Sequence, residues 1–315
     1  MNITAEKAII KKELLEHKTS LFIAPAILTS LFFVLISIQM FFGTEGVPLV
    51  PAHEMFVAAY VMSTVFFVIY MVITLFFYFA DSFSSDRKHN GLLFWKSLPI
   101  SDLKILGLKT FTGTIIIPLI ILGWIMVASV SSYIIGLLNF GGFTQFIAPW
   151  TALYTLVELS ANLLIILVIV FLWLAPFYTW VGVLSAFFKK WSIALAFVIP
   201  LVLIAMEEIF SFDAFQTSYI ADFIGNRLVG IVDHSVAGNA EFNQTMQDMS
   251  VKMNFGDDGP NNLQGFEANL LLSKLETITW HFITNVRWLA LLSGLLVSGV
   301  FVYIASEYRR RFIEA

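Results

Sequence analysis

The sequence predicts an all-α polytopic membrane protein with six transmembrane helices, an N-terminal interfacial helix, and an outer segment between helices 5 and 6. Three observations predict it. Of 315 residues, 58% are hydrophobic and only 13% charged, too few charges to cover a water-soluble globule of this size. Mean hydropathy is +0.84. The apolar residues gather in long runs, and the basic residues gather in alternate connections between those runs.

A bilayer core of about 30 Å needs about 20 apolar residues in helical form. Six runs meet that length: Ser20–Phe42, Met55–Ala80, Phe111–Leu138, Thr151–Phe188, Ser192–Phe210 and Val286–Ser306. No ten-residue alternation suggests a barrel, and hydrocarbon offers backbone groups no partner, so each run is read as a helix. The fourth run holds no lysine or arginine and, at about 1.5 Å per residue, is far longer than a bilayer requires. Tilt, a kink at Pro176, or a portion lying in the interface is expected to absorb the excess.

Placing the N-terminus inside puts 14 of the 18 lysines and arginines in inner segments, leaving only Arg227, Lys252, Lys274 and Arg287 outside. Both termini are therefore expected in the cytoplasm of a cell whose inner (plasma) membrane the chain crosses. Residues 1–19 set Ile3, Ile9, Ile10, Leu14 and Leu15 among charges, which suits a short helix on the inner surface with its lysines toward anionic headgroups, or a plain positive flank. The apolar stretch from Leu21 to Phe42 exceeds a signal-peptide core and reads as an uncleaved first span. Arg309, Arg310 and Arg311 read as an inner anchor in the 286–315 segment that holds helix 6 and the tail.

The 211–285 segment turns toward Asn, Gln, Asp and Gly. Helical spacing near Phe215–Val232 and Leu263–Phe282 predicts two helices there, separated by a loop from Phe255 to Asn262. Asp257-Asp258-Gly259 lacks the alternating ligands of a calcium loop and reads as a turn.

Several functions are excluded or left without residues to carry them. A net charge of −4 gives no nucleic-acid footprint, and with no cysteine there is neither a disulfide nor thiol chemistry. The five histidines are scattered, and no catalytic or metal-binding spacing occurs. Gly225 to Gly230 continues Ile231-Val232 and so fails as a phosphate loop, and Glu207-Glu208 lacks the arginine a Glu-Glu protease motif needs because residue 212 is Phe. Outer-end solvation accounts for that glutamate pair. No catalytic residue, bound cofactor or metal is expected. Within the spans Glu158 is the one clear ionisable residue, placed either at the outer interface or on a substrate path. Gly113, Gly123, Gly294 and Gly299 are candidate close-approach positions between helices.

The most informative stretch is the inner loop 81–109. It reads Asp81-Ser82-Phe83-Ser84-Ser85-Asp86-Arg87-Lys88-His89-Asn90-Gly91, then Leu92-Leu93-Phe94-Trp95-Lys96-Ser97-Leu98-Pro99-Ile100-Ser101-Asp102. Ser84 or Ser85 is expected to cap a short helix, Pro99 to end a second piece, and Ser101 to cap the entry to the third span. Leu92, Leu93, Phe94 and Trp95 form an apolar knob among charges, to be covered by a partner protein or by the lipid interface.

Here the sequence resembles the ABC-2-type transporter permeases, which carry in this loop an acidic-basic pair, a glycine, a Ser-x-Pro-hydrophobic-Ser/Thr run and a Gly-x-Lys. The matching residues are Asp86-Arg87, Gly91, Ser97-Leu98-Pro99-Ile100-Ser101 and Gly107-Leu108-Lys109, although Gly91 is followed by Leu-Leu-Phe-Trp where the family has a Thr-Leu type. The resemblance implies a coupling helix that docks on a separate ATP-hydrolysing ABC subunit. The knob would be its anchor, and Asp86, Arg87 and Lys96 its polar rim. It also implies a dimer of this chain or a pair with a related permease, with ATP and magnesium used by the partner. The rival expectation is a membrane scaffold or sensor whose outer segment binds a ligand.

Overall fold

The computed structural model describes residues 3–42, 52–88, 101–139, 147–188, 191–210, 219–228, 230 and 268–312. It contains α1 (Ile3–Glu16), a π turn (Thr19–Ile23) leading into α2 (Ala24–Phe42), and α3 (Ala52–Lys88). Next come α4 (Asp102–Phe111), a π turn (Thr112–Ile116) and α5 (Ile117–Asn139). α6 (Pro149–Phe188), α7 (Ser192–Phe210), α8 (Tyr219–Leu228), α9 (Ala268–Asn285) and α10 (Trp288–Phe312) complete the described chain. Strands are absent from the described residues. Five helical runs are long and apolar enough to cross a membrane, and six if the bent pair Glu6–Glu16 and Thr19–Leu35 forms one broken span.

Two of these runs are much longer than the apolar windows suggest. α3 continues to Lys88 rather than ending near Ala80, and α4, the second π turn and α5 follow one another without a gap from Asp102 to Asn139. α6 has 40 residues, about 60 Å, and Pro176 lies inside it without ending it. The expected cap at Ser84 or Ser85 is corrected: both lie inside α3, where their hydroxyls donate back to Asp81 O at 3.1 Å and Ser82 O at 3.0 Å. A serine that bonds a carbonyl of the preceding turn travels within a helix instead of starting one. Ser101 does cap α4, accepting from Lys104 N at 3.4 Å.

The π turn between α1 and α2 has a local cause. Pro25 has no N–H, so Leu21 O loses its i+4 donor and the ladder opens. Side chains from two neighbouring helices fill the gap: Trp124 Nε1 donates to Leu21 O at 3.0 Å, and Tyr70 OH to Ser20 O at 2.5 Å. The two pieces meet at 69°.

α3, α5 and α6 form the core. Phe67, Met71, Leu75, Phe79 and Phe83 recur every fourth residue along one ridge of α3, each at most 1% exposed. Ile117, Ile121 and Ile125 make the matching ridge on α5, and Phe171 and Tyr178 face them from α6. Phe79 stacks on Tyr178 with ring centres 5.7 Å apart. α10 packs along α6, and its far end reaches α4. The opposite faces, such as Phe66, Ile69, Ile73 and Phe77 of α3, are equally apolar and exposed, as a lipid-facing surface would be.

Of the four glycines expected at helix contacts, two are. A Cβ on Gly113 would come within 2.7 Å of the Phe79 ring, and one on Gly294 would overlap Arg227. Gly123 and Gly299 face open space.

Candidate functional site

The loop residues singled out by sequence fall at or beyond the edge of the described chain. Asp86 and Arg87 form part of the last turn of α3, and Gly91, Leu92, Leu93, Phe94, Trp95, Lys96, Ser97 and Pro99 lie outside the described residues. What the structure does describe is how both stems of that loop are held.

The centre of the clamp is Lys109, on the last turn of α4 and 1% exposed. Its Nζ donates to Ser82 O at 2.6 Å and to Ser85 Oγ at 3.2 Å, joining the outgoing stem on α4 to the incoming stem on α3. The same Nζ lies 3.1 Å from Glu13 Oε1 on α1, an ion pair with side chains 1% and 0% exposed. Tyr78 OH reaches both partners, donating to Lys109 O at 2.9 Å and toward Glu13 Oε2 at 3.3 Å. His17 packs edge-on to the Tyr78 ring with centres 4.9 Å apart. Burial lowers the His17 pKa from the usual imidazole value; Glu13, Asp81 and Glu16 oppose that shift and Lys109 adds to it.

Helical spacing explains why α1 can take part. Glu6, Ile9, Glu13 and His17 fall on one face. Ile9, 1% exposed, packs on Ile105 and Leu108 of α4, and Glu6 pairs with Lys104 at 2.6 Å. Ile9 is thus turned to protein rather than to lipid, which the reading of α1 as a purely interfacial helix does not anticipate, while Leu15 on another face is 58% exposed.

A second pair fixes the start of α4 to the last helix. Arg309 Nη2 lies 3.5 Å from Asp102 Oδ1, and the Arg309 side chain is 2% exposed. Of the three arginines expected as a surface anchor, Arg309 is therefore a buried contact, while Arg310 and Arg311 are exposed and share Glu307 at 2.7 and 2.6 Å. The helices on either side of residues 89–100 are thus tied to α1 and α10 through Lys109 and Asp102.

Glu158 is half-buried on α6, far along the chain from the clamp, and its backbone oxygen accepts from Asn162 Nδ2 at 2.9 Å. Neighbouring turns of α6 join α3 through Thr155 to His53 at 3.4 Å and Ser160 to Tyr60 at 3.2 Å. Glu207 does more than meet solvent: its two carboxylate oxygens accept from Tyr219 N at 2.7 Å and Ile220 N at 3.0 Å, capping α8. Sequence reasoning missed Glu13, Arg309 and Arg227 as buried groups. Glu13 and Ile9 share a face, which was a usable signal; the arginine contacts join residues far apart in the chain and leave none. No group of three His, Cys, Asp or Glu side chains able to hold a metal occurs among the described residues. No family model matches the chain, and no curated protein or solved structure matches it.

Proposed function

We propose that the chain is the transmembrane permease subunit of an ABC-type exporter, working with a separate ATP-hydrolysing subunit beneath loop 81–109. The observation that carries this reading is the clamp on the loop's stems. A loop that only lay in the lipid interface would gain nothing from burying Lys109, Glu13 and Arg309 at its base, since sequestering charge is costly. A loop that must pass a displacement to the spans needs a base that moves with them. Leu92, Leu93, Phe94 and Trp95 then serve as the apolar plug in the ATPase, with Asp86, Arg87 and Lys96 at its rim.

On this reading the N- and C-termini are cytoplasmic, two copies or two related subunits enclose the path, and Glu158 is a candidate polar group along it. Closure of the ATPase pair on ATP would push loop 81–109, and the Lys109 and Asp102 pairs would carry the push to α1, α3, α4 and α10. The test is a mild-detergent pull-down of an ATPase by the wild type and by the Leu93→Asp/Phe94→Asp variant. Capture by the wild type, with loss in an equally well inserted variant, is expected. Equal capture by both overturns the coupling role. A scaffold or sensor is separated from an exporter by whether nucleotide drives cargo across a reconstituted membrane.

A further inference from the structure

Helix α8 carries the other buried charge of functional interest. Capped by Glu207 at the end of α7, it turns back against the bundle and delivers Arg227, eight residues or about 12 Å further on, to the seam between α6 and α10. Arg227 is 5% exposed. Its Nε donates to Trp173 O at 3.1 Å and its Nη1 to Ala290 O, while the guanidinium carbon sits 4.3 Å from the centre of the Trp173 ring. In return Trp173 Nε1 donates to Arg227 O at 2.6 Å. Nη2 has no hydrogen-bond partner among the described residues and lies against Gly294, where any Cβ would occupy its place.

The depth of this contact is unusual for a cation. Trp173 lies fifteen residues before the end of α6, about 22 Å, in a stretch from Leu159 to Phe188 without a charged side chain. No carboxylate pairs with Arg227 among the described residues; its partners are two carbonyls and a ring. Neutral partners hold a guanidinium in place but leave its charge under-compensated. Docking is then favoured by the contacts and opposed by the buried charge, the balance expected of a joint that opens.

We propose that α8 is a gate over the α6–α10 seam and that Arg227 is its latch. Withdrawal of this one side chain frees α8, uncovers Trp173, and so admits water toward the apolar cluster that Trp173 shares with Ile169, Phe282 and Leu291. Gly294 is the seat: its missing side chain is what lets the guanidinium enter. The inference does not depend on an ATPase partner or on which way the chain faces.

The chain has no cysteine, so a single introduced one reports alone. Leu291→Cys, at a site 3% exposed, is labelled with a water-soluble maleimide in the detergent-purified full chain, alone and combined with Arg227→Gln or Gly294→Ala. Leu106→Cys, at a site 0% exposed in the principal core, is the control. The latch requires both second changes to raise labelling at position 291 by about tenfold or more and to leave position 106 protected. Gly294→Ala keeps the arginine and expels it with one methyl, so it decides the question if Arg227→Gln fails to fold. Continued protection at 291 in the Gly294→Ala background, or equal exposure of 106, overturns the proposal.

Discussion

Replacing Lys109 by Met removes one half of the buried pair at the loop base and leaves Glu13 charged in a site 0% exposed. At 3.1 Å the two charges attract by about 5 kcal/mol if the local dielectric is about 20. Desolvating them costs several kcal/mol each, so the intact pair contributes little net stability. Breaking it is another matter: the uncompensated carboxylate, with the lost bonds to Ser82 O and Ser85 Oγ, costs about 3–5 kcal/mol. The double variant Glu13→Gln/Lys109→Met removes the stranded charge and should recover a large part of that loss. Lys104→Met is the contrast. Its partner Glu6 is closer, at 2.6 Å, but the side chains are 42% and 24% exposed, and an exposed pair is worth about 0–1 kcal/mol. The assay is reversible unfolding in mixed micelles, read by helicity, for the four-member cycle and the Lys104 variant. A double variant whose loss is the sum of the two single losses would refute the clamp.

Two further changes test other parts of the structure. Gly113→Ala places a methyl 2.7 Å from the Phe79 ring and 2.8 Å from that of Tyr78, and is expected to destabilise by about 1–3 kcal/mol in the same unfolding assay. Gly107→Ala, with nothing within 4 Å, should be neutral or stabilising by up to about 1 kcal/mol. His17 has a lowered pKa in the fold because burial disfavours the imidazolium, so the unfolded chain binds its proton first as the pH falls. Its contribution is fully present above the unfolded value of about 6.5 and is lost as the pH drops toward the lower folded value. Thermal midpoints measured between about pH 5 and 7.5 should therefore fall on the acid side, and His17→Gln should flatten that slope.

The helices were legible because lipid imposes a length and a composition that survive in any single sequence. The run Ser192–Phe210 could be read to its ends, whereas α3 overran its apolar window by the two mostly polar turns Asp81–Lys88. Serines there carry two meanings, cap or interior, and only the hydrogen bonds to Asp81 O and Ser82 O separate them. Which face of each span meets protein was not legible. Phe77 and Phe79 are the same residue type two positions apart, yet one is 58% exposed and the other 0%, because hydrocarbon and protein interior reward the same side chain. The stems of the candidate site could be located by the Gly107-Leu108-Lys109 run, but its partners could not. Glu13 and Arg309 stand near opposite ends of the chain and meet α4 only once the bundle is folded.

α10 links the two buried charge sites. Arg309 near its end pairs with Asp102 at the loop base, and Ala290 and Gly294 near its start receive Arg227. Nineteen residues of unbroken helix separate Ala290 from Arg309, about 28 Å, a distance comparable with the hydrocarbon thickness. A helix held along α6 tends to move as a rod, so a shift imposed on Asp102 is felt at the Gly294 seat with little loss in between. Under the two proposals, a displacement that enters at loop 81–109 leaves at the Arg227 latch, and the glycine that admits the arginine sets how small a displacement suffices to release it. A seat with no side chain tolerates no intrusion, so a movement of α10 smaller than a methyl radius would already compete with the guanidinium for its place.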